Sequence, residues 1–279
     1  MKKIALLVLL LVCCSSVAFS QKEEATKQTF TIDGVEFTMV YVEGGTFTMG
    51  ATSEQGVDAY HGEYPTHQVT LSSYYIGETE VTQALWQVVM GNNPSKFKGD
   101  NLPVERVGYE DIQEFIAKLN QKTGRTFRLP TEAEWEFAAR GGNKSKGYKY
   151  SGSDKLNDVA WYYENSGDIR LDGPYLSYSL YYDNLKKYNC RTHPVKTKQA
   201  NELGLYDMSG NVWEWCSDWY GDYSSSFQTN PKGPNSGPGR VFRGGSWDYF
   251  ASVCRVSNRI NNLPSSGDDD LGFRLALSR

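Results

Sequence analysis

The stretch Gly210-Asn211-Val212-Trp213-Glu214-Trp215-Cys216-Ser217-Asp218-Trp219-Tyr220 is the most informative segment of this 279-residue chain. It places three tryptophans, acidic residues and a cysteine within eleven positions. The whole chain contains seven tryptophans and five cysteines, so composition alone does not account for this density. The segment therefore points to a specific sequence pattern, and the rest of the chain can be compared with that pattern.

Five further blocks accompany this stretch, and they lie on both sides of it in the chain. They are Gly44-Gly45-Thr46-Phe47-Thr48-Met49-Gly50, Leu129-Pro130-Thr131-Glu132-Ala133-Glu134-Trp135-Glu136, Arg243-Gly244-Gly245-Ser246-Trp247, Cys254-Arg255 and Leu271-Gly272-Phe273-Arg274. Together, and in this order, the blocks resemble the formylglycine-generating enzyme family, also called the sulfatase-modifying factors. The resemblance implies an α+β fold of this family's type: a compact mixed fold with much irregular structure, related to the C-type lectin fold.

The residue pattern also predicts individual elements of such a fold. Alternating apolar residues around Asp33-Gly34 predict a hairpin. Helices are predicted after Thr82, around Ile112–Leu119 and after Thr131, which forms a capping-box pattern with Glu134. From about residue 143 onward, small and polar residues and tyrosines dominate, so long ordered loops joined by short strands are expected. No repeat or linker divides the sequence, and residues 29–279 are expected to form a single domain.

The first residues have the features of a signal peptide. Met1–Ser20 begins with positive charge, continues with an apolar run over Ile4–Val12 and ends with small residues at 18 and 20. The run is too short to span a bilayer, and no other long apolar run follows. Residues 21–28 are expected to be a polar tether, and the mature protein is expected to be periplasmic, bound to the cell envelope or secreted. A lipoprotein signal is the alternative, although neither Cys13 nor Cys14 follows a small residue.

The net charge of the mature chain argues against nucleic acid as a partner. Removal of residues 1–20 leaves 27 basic against 33 acidic residues, a net charge of about −6. A chain of this charge has no electrostatic footprint for nucleic acid. The expected partners are a protein or peptide substrate, or a glycan or other envelope component.

The resemblance implies a particular chemistry. Family enzymes use copper(I) and molecular oxygen to oxidise a sulfatase cysteine to formylglycine, and two cysteines five residues apart bind the metal. Copper(I) prefers soft thiolate ligands. When Arg243–Ser246 sets the register, Cys254 falls on the second copper cysteine and is the catalytic candidate, whereas Tyr249 falls on the first. A phenol is a hard oxygen ligand, so the usual copper site is not expected here.

Cys254 therefore has three alternative roles. It is a residual reactive thiol, a buried thiol or one half of a disulfide formed in an oxidising compartment. The candidate disulfide partner is Cys216, because both cysteines lie in core blocks of the family. The mature chain would keep three cysteines, the third being Cys190, and these permit at most one internal disulfide.

The resemblance also implies a calcium site in the loop from Asp207 to Glu214. The expected ligands are the side chain of Asp207, the backbone oxygens of Gly210 and Val212, and the carboxylate of Glu214. Calcium takes oxygen ligands of these kinds. The alternative is that Glu214 is a buried residue between two tryptophans and binds no metal.

A tyrosine-rich insertion spans about Gly167–Arg191, where many bacterial relatives run almost directly onward. Insertions of this kind lie at the surface and often carry specificity. We expect it to border a ligand cleft containing Ser246, Trp247 and Tyr249, because aromatic faces there could stack on a sugar or hold an extended peptide. A variable loop without a role is the alternative.

Two functions are consistent with these observations. The first is an exported oxidoreductase of the formylglycine-generating type. The second is a non-catalytic protein of the cell envelope that recognises a glycan, a peptide or a protein partner. Tyr249, at the position of a copper ligand, favours the second.

Overall fold

The structure is a computed structural model that describes residues 26–171 and 178–279. The predicted signal peptide, most of the predicted tether and Tyr175 of the insertion lie outside the described residues. Within them, the helices are α1 (Gln83–Met90), α2 (Tyr109–Thr123), α3 (Glu132–Ala139), α4 (Leu156–Val159) and α5 (Tyr178–Lys187). The strands are β1 (Lys27–Ile32), β2 (Val35–Val42), β3 (Gly45–Met49), β4 (His67–Leu71), β5 (Tyr74–Gly77), β6 (Phe127–Arg128), β7 (Trp213–Trp219), β8 (Gln228–Thr229), β9 (Arg240–Arg243), β10 (Arg259–Asn262), β11 (Leu271–Gly272) and β12 (Ala276–Ser278).

These strands form three sheets. Their orders are β1-β2-β5-β12-β6, β10-β9-β7-β11 and β3-β4-β8. The predicted hairpin at Asp33-Gly34 is confirmed, since Ile32 pairs with Val35 across it. Strand β7 comes from the tryptophan-rich stretch and lies inside the second sheet, antiparallel to β9 and parallel to β11.

Two of the predicted helices begin at the expected capping residues. The Thr82 side chain accepts a hydrogen bond from the backbone N–H of Leu85 at the start of α1. The Thr131 hydroxyl accepts from the N–H of Glu134, whose carboxylate accepts from the N–H of Thr131 at 2.8 Å. This reciprocal pair is the predicted capping box.

Strand β7 separates the two largest clusters of the core. Side chains alternate along a strand, and Trp213 and Trp215 accordingly join the cluster formed with α1 and α2. Cys216 joins the cluster formed by α3, β3 and β4. The stretch that carries the strongest sequence signal therefore lies where the two clusters meet.

Buried ion pairs connect the sequence blocks that carry the resemblance. Glu132 of α3 accepts hydrogen bonds from Arg243 at 2.9 Å and from Arg259 at 2.7 and 2.8 Å. Arg255 donates two hydrogen bonds to Glu63. Removal of one member of such a pair leaves an uncompensated buried charge, which is strongly destabilising. The pairs therefore tie α3 to β9 and β10, and the turn His61–Glu63 before β4 to the segment before β10.

The predicted fold class, α+β with much irregular structure, is confirmed. One local expectation is wrong, because the insertion contains the helix α5 and not only loops. Tyr181 and Leu185 lie four residues apart on one face of α5, and both are buried against Trp247 and its neighbours. No helix within residues 26–171 or 178–279 combines the length and the apolar character needed to cross a membrane.

Candidate functional site

Cys254 lies at the end of a short 3-10 turn, Ala251–Val253, and is fully buried. Its Sγ atom lies 3.7 Å from the carbonyl oxygen of Phe250, to which the thiol donates a weak hydrogen bond. A Cβ atom at Gly245 would lie only 2.6 Å from this sulfur. Burial raises the pKa of the Cys254 thiol, so the thiolate that binds metal or attacks a substrate is disfavoured.

Tyr249 occupies the adjacent surface, where its side chain is 37% exposed. Its ring packs edge-on against Trp213, with 5.5 Å between the ring centroids. Partial burial raises the pKa of its phenol, which therefore stays protonated at neutral pH. A protonated phenol and one buried thiol do not make a copper(I) site, which requires soft anionic sulfur. The residues present therefore do not fit copper.

Cys216 and Cys254, the candidate disulfide pair, are not bonded to each other in this structure. Cys190, Cys216 and Cys254 are all free, buried thiols. Cys216 packs in the cluster of α3, β3 and β4, whereas Cys254 packs with Tyr150 and Leu156 in a separate cluster. The two thiols therefore serve different parts of the core, and of the three alternatives for Cys254 the structure favours the buried thiol.

The predicted calcium ligand Glu214 is also committed elsewhere. Its two carboxyl oxygens each accept a hydrogen bond of 2.6 Å from the Arg274 guanidinium, and Oε2 accepts another from the indole N–H of Trp135 at 2.7 Å. Glu214 is fully buried. Its carboxylate is thus already satisfied by protein groups in this structure. Gly210 and Val212 are buried in the same loop.

Two other carboxylates beside Glu214 lack such partners. Glu80 is 1% exposed, and neither of its carboxyl oxygens accepts a hydrogen bond from another described residue. Asp207 accepts one hydrogen bond, from the backbone N–H of Lys196 at 2.9 Å, but its Oδ1 atom is buried without a partner among the described residues. Buried carboxyl oxygens normally have hydrogen-bond partners, so these three atoms require an explanation.

The charges of these carboxylates interact. The pKa of Glu80 is raised well above its usual value by burial and next by the charge of Asp207. Burial raises the pKa of Asp207 to about 6. Two adjacent buried carboxylates and the oxygens of a loop suit a hard cation such as calcium. No group of three or more His, Cys, Asp or Glu residues in the described ranges is arranged to hold a metal, so backbone oxygens would have to complete the shell.

Sequence reasoning missed Glu80, although its block, Glu78-Thr79-Glu80-Val81-Thr82, is part of the family pattern. The residue lies far from Asp207 in the chain and carries no local signal for a metal ligand. It is placed beside the loop by long-range backbone contacts. The N–H of Tyr206 donates to the carbonyl of Glu78, and the N–H of Val81 donates to that of Phe273.

Of the three residues predicted to line a cleft, Trp247 lies in a groove beside the inserted helix. The groove of about 450 Å³, here called the α5 groove, lies between α5 and the segment after β9. Trp247 lies at its base, 3% exposed and edge-on to Phe97, with 5.3 Å between centroids. The residues of α5 that line it are Tyr182, Leu185 and Lys186. Ser246 and Tyr249 are not among the lining residues, so the structure brings only Trp247 of the three into this groove.

Ser246 lies beneath the groove and supports it. Its hydroxyl donates to Asp248 Oδ1 at 2.6 Å and lies 3.5 Å from Asp270 Oδ2. The Tyr181 hydroxyl of α5 donates to the backbone oxygen of Asp248. Burial raises the pKa of Asp248 to about 6. This hydrogen bonding ties the segment of Trp247 to the inserted helix.

Comparison with known proteins decides the family. The sequence model of the family described as "Sulfatase-modifying factor enzyme 1-like domain" matches residues 24–279. This chain belongs to the sulfatase-modifying factor family. The chain is 36% identical to the chaperone protein LppX of Paenibacillus barcinonensis over 274 residues, which cover 86% of this chain and 89% of LppX. It is 32% identical to the formylglycine-generating enzyme of Streptomyces coelicolor over 293 residues, covering 85% and 88% of the two chains.

Solved structures show the same family-type fold. Treponema denticola variable protein 1 is 36% identical and superposes with a TM-score of 0.76 over 91% of this chain and 99% of its own. PvdO from Pseudomonas aeruginosa is 26% identical, with a TM-score of 0.67 over 90% and 98% of the two chains. Relatives of this chain thus carry names as different as enzyme and chaperone. The activity of this member has to be inferred from its own site.

Proposed function

We propose that this protein is an exported, non-catalytic member of the sulfatase-modifying factor family that binds a protein partner through the face formed by α5, Trp247 and Tyr249. The observation that carries the proposal is the state of the two copper positions. Tyr249 stands at the first of them, and the thiol of Cys254 at the second is fully buried. Export is supported by the charge and apolar pattern of Met1–Ser20.

A protein partner is supported by the chemistry of this face. Tyr182 and Tyr249 are 44% and 37% exposed, although both are large aromatic residues. Tyrosine, tryptophan and arginine are the residue types that dominate binding energy at protein interfaces. One of the relatives, LppX, is named a chaperone protein, which is consistent with a protein as the partner. A glycan would also find aromatic faces here, but the names of these relatives do not refer to a glycan.

The catalytic part of the proposal is tested with a sulfatase-type Cys-x-Pro-x-Arg peptide. The purified protein, reduced and supplied with copper(I) and oxygen, should leave the peptide mass unchanged, whereas the Streptomyces coelicolor enzyme serves as the positive control. The protein should also fail to retain copper(I) against a strong chromogenic chelator. Aldehyde formation would overturn the proposal, as would a one-to-one copper complex that disappears on Cys254→Ser.

The binding part is tested by capture from an envelope extract. The wild-type protein should retain a partner that the double variant Tyr182→Ser/Tyr249→Ser loses, because both changes remove exposed aromatic surface. A matched control, Tyr60→Ser/Tyr64→Ser, removes two exposed tyrosines elsewhere, 52% and 46% exposed, and should retain it. Equal capture by all three proteins would exclude this face as the binding surface.

We further propose that calcium is held at Glu80 and Asp207. The support is the three buried carboxyl oxygens without partners described above. Calcium would supply positive charge to two acidic groups whose ionisation burial otherwise opposes. Its role would be structural, since Asp207 and Glu80 lie in the core of the fold and not in the α5 groove.

A further inference from the structure

The α5 groove carries basic residues beside apolar ones, in a protein whose net charge is negative. Lys96, Lys186 and Arg191 line it together with Leu185 and Trp247. Its volume, about 450 Å³, lies within the range of ligand-binding clefts in proteins. A ligand in this groove would therefore meet apolar surface and positive charge at the same time.

Helix α5 contributes both apolar surface and positive charge to the groove. Tyr182, Leu185 and Lys186 occupy positions i, i+3 and i+4 of α5, so they project from the same face of the helix. Leu185 is 8% exposed and anchors this face on the core. The insertion thus brings an aromatic ring, an aliphatic side chain and an ammonium group to one wall.

One of the two acidic residues of the groove, Asp269, is paired with cations of the protein. Asp269 Oδ2 accepts from the Lys96 ammonium at 2.5 Å and lies 3.9 Å from the Arg106 guanidinium. Asp248 accepts from the Ser246 hydroxyl at 2.6 Å. The cations Lys96 and Arg106 therefore offset the charge of Asp269, whereas the hydrogen bond from Ser246 does not offset the charge of Asp248.

Lys186 and Arg191 are the basic residues on the α5 side of the groove. Arg191 lies 3.4 Å from Asp168 and donates an exposed hydrogen bond of 3.2 Å to the backbone oxygen of Asn189. Both side chains of the ion pair are about half exposed, and such surface pairs contribute little because water and salt screen them. Lys186, near the end of α5, lines the groove beside Leu185. These two cations can exchange water for an anionic group of a ligand, and a hydrogen bond between charged groups is stronger than one between neutral groups.

We propose that the α5 groove recognises an acidic peptide segment in which a carboxylate side chain lies next to an aromatic or large apolar one. The apolar side chain packs on Leu185, Phe97 and Trp247, and the carboxylate lies between Lys186 and Arg191. The inference rests on the proposed binding function and names the partner chemistry for the same face. Charge complementarity selects a peptide carboxylate as the occupant.

The test uses four N-acetylated, C-amidated peptides titrated into the full-length mature protein by calorimetry. The reference is Gly-Phe-Asp-Gly, and the others are Gly-Phe-Asn-Gly, Gly-Gly-Asp-Gly and Gly-Phe-Lys-Gly. Asparagine is isosteric with aspartate, so this pair isolates the charge. The reference peptide should bind roughly tenfold more tightly than its asparagine counterpart, and both other peptides should bind more weakly still.

Variants of Lys186 and Arg191 test whether these two cations cause the preference for the aspartate peptide. The double variant Lys186→Gln/Arg191→Gln should bind the aspartate and asparagine peptides equally. Lys187→Gln is the matched control, because this neighbouring lysine of α5 lies over the Tyr188 ring, 4.9 Å from its centroid, and does not line the groove. The control should keep the tenfold preference, and added salt should reduce it in both the control and the wild type.

Three outcomes would overturn the inference: equal binding of the aspartate and asparagine peptides, a preference that survives the double variant, or no saturable binding of any peptide at millimolar concentration. Binding of glucuronate as tight as that of the reference peptide would also overturn it, since the site would then select an anion and not a peptide. None of these results depends on copper or aldehyde chemistry. The peptide-oxidation assay and the tyrosine variants therefore test the proposed function separately.

Discussion

Gly245 is the residue on which the geometry around Cys254 most directly depends. Its φ is +76°, in the left-handed region that favours glycine. A Cβ at this position would lie 2.6 Å from the Cys254 sulfur and 3.0 and 3.2 Å from the Cα and N atoms of the same residue. Two of these three atoms belong to the backbone, so a side-chain movement would not relieve the contact.

We expect Gly245→Ala to lower the free energy of unfolding by about 2–4 kcal/mol, through backbone strain and overpacking together. Gly124→Ala is the control, because Gly124 has a φ of +66° but no described atom lies within 4 Å of the position that its Cβ would take. That variant should lose about 1 kcal/mol from conformation alone. Urea denaturation measures both, and equal losses would show that the contact with Cys254 has no energetic weight.

Glu105 is expected to make the free energy of unfolding depend on pH. It is fully buried, and its Oε1 accepts a hydrogen bond from the N–H of Phe97 at 2.9 Å, while Oε2 has no partner among the described residues. Burial raises its pKa to about 7; the charge of Asp269 adds to the shift, and that of Arg106 opposes it. A carboxyl group whose pKa is higher in the folded than in the unfolded state contributes stability below the unfolded pKa. That contribution is lost as the pH rises through about 7.

Glu105→Gln should therefore flatten this dependence, because an amide does not titrate. Between pH 5 and pH 8, the loss of unfolding free energy should be smaller in the variant than in the wild type by about 2 kcal/mol. Chemical denaturation at the two pH values gives the comparison. The exposed Glu114, which pairs with Lys118 on the surface of α2, provides Glu114→Gln as a control that should leave the wild-type dependence unchanged.

At the scale of elements, α5 shows how an insertion becomes part of the fold. Its Tyr181 ring stacks on Tyr163 with 5.2 Å between centroids, and Leu185 packs in the cluster that contains Trp247. The helix therefore covers apolar surface that would otherwise be exposed. It also forms one wall of the α5 groove, so its packing and the shape of the groove are linked.

Leu185→Ala should lower the unfolding free energy by about 2–3 kcal/mol, because it removes buried methyl groups and leaves a cavity under α5. Lys187→Ala, on the exposed part of the same helix, should change it by less than about 0.5 kcal/mol. Thermal and urea denaturation of the two variants check this. A Leu185→Ala protein as stable as the control would mean that α5 contributes no packing energy to the domain.

At the scale of the whole molecule, calcium should stabilise the fold if Glu80 and Asp207 hold it. A ligand that binds only the native state adds about 2.7 kcal/mol at a hundredfold excess over its Kd. For a chain of this size, chelation should then lower the Tm by about 5 °C or more. Scanning calorimetry with calcium and with chelator measures the difference.

The variants Glu80→Gln and Asp207→Asn should each abolish the calcium-dependent shift. Glu54→Gln changes a carboxylate at another site, bound to Arg140 at 2.7 Å, and should keep the calcium shift. Identical melting curves of the wild type with calcium and with chelator would show that Glu80 and Asp207 hold no stabilising calcium.

Much of the architecture was predictable because its signals are local. Thr82, Thr131 and the Asp33-Gly34 turn act through hydrogen bonds and backbone angles within a few residues, and the structure places each where the pattern predicts it. The α+β fold was predictable from the family blocks, because these are short segments that occur in a fixed order. The replacement at Tyr249 was also visible from register alone, and with it the loss of a thiolate pair.

Only the tertiary structure decided how distant residues are paired and buried. It joined Glu214 to Arg274, placed Glu80 beside Asp207 and separated Cys216 from Cys254 into different clusters. It also turned part of the insertion into a helix packed on Trp247. These outcomes depend on burial and on charges brought together from far apart in the chain. The role of a carboxylate or a thiol depends on the residues that surround it in the fold, and these residues are distant from it in the sequence.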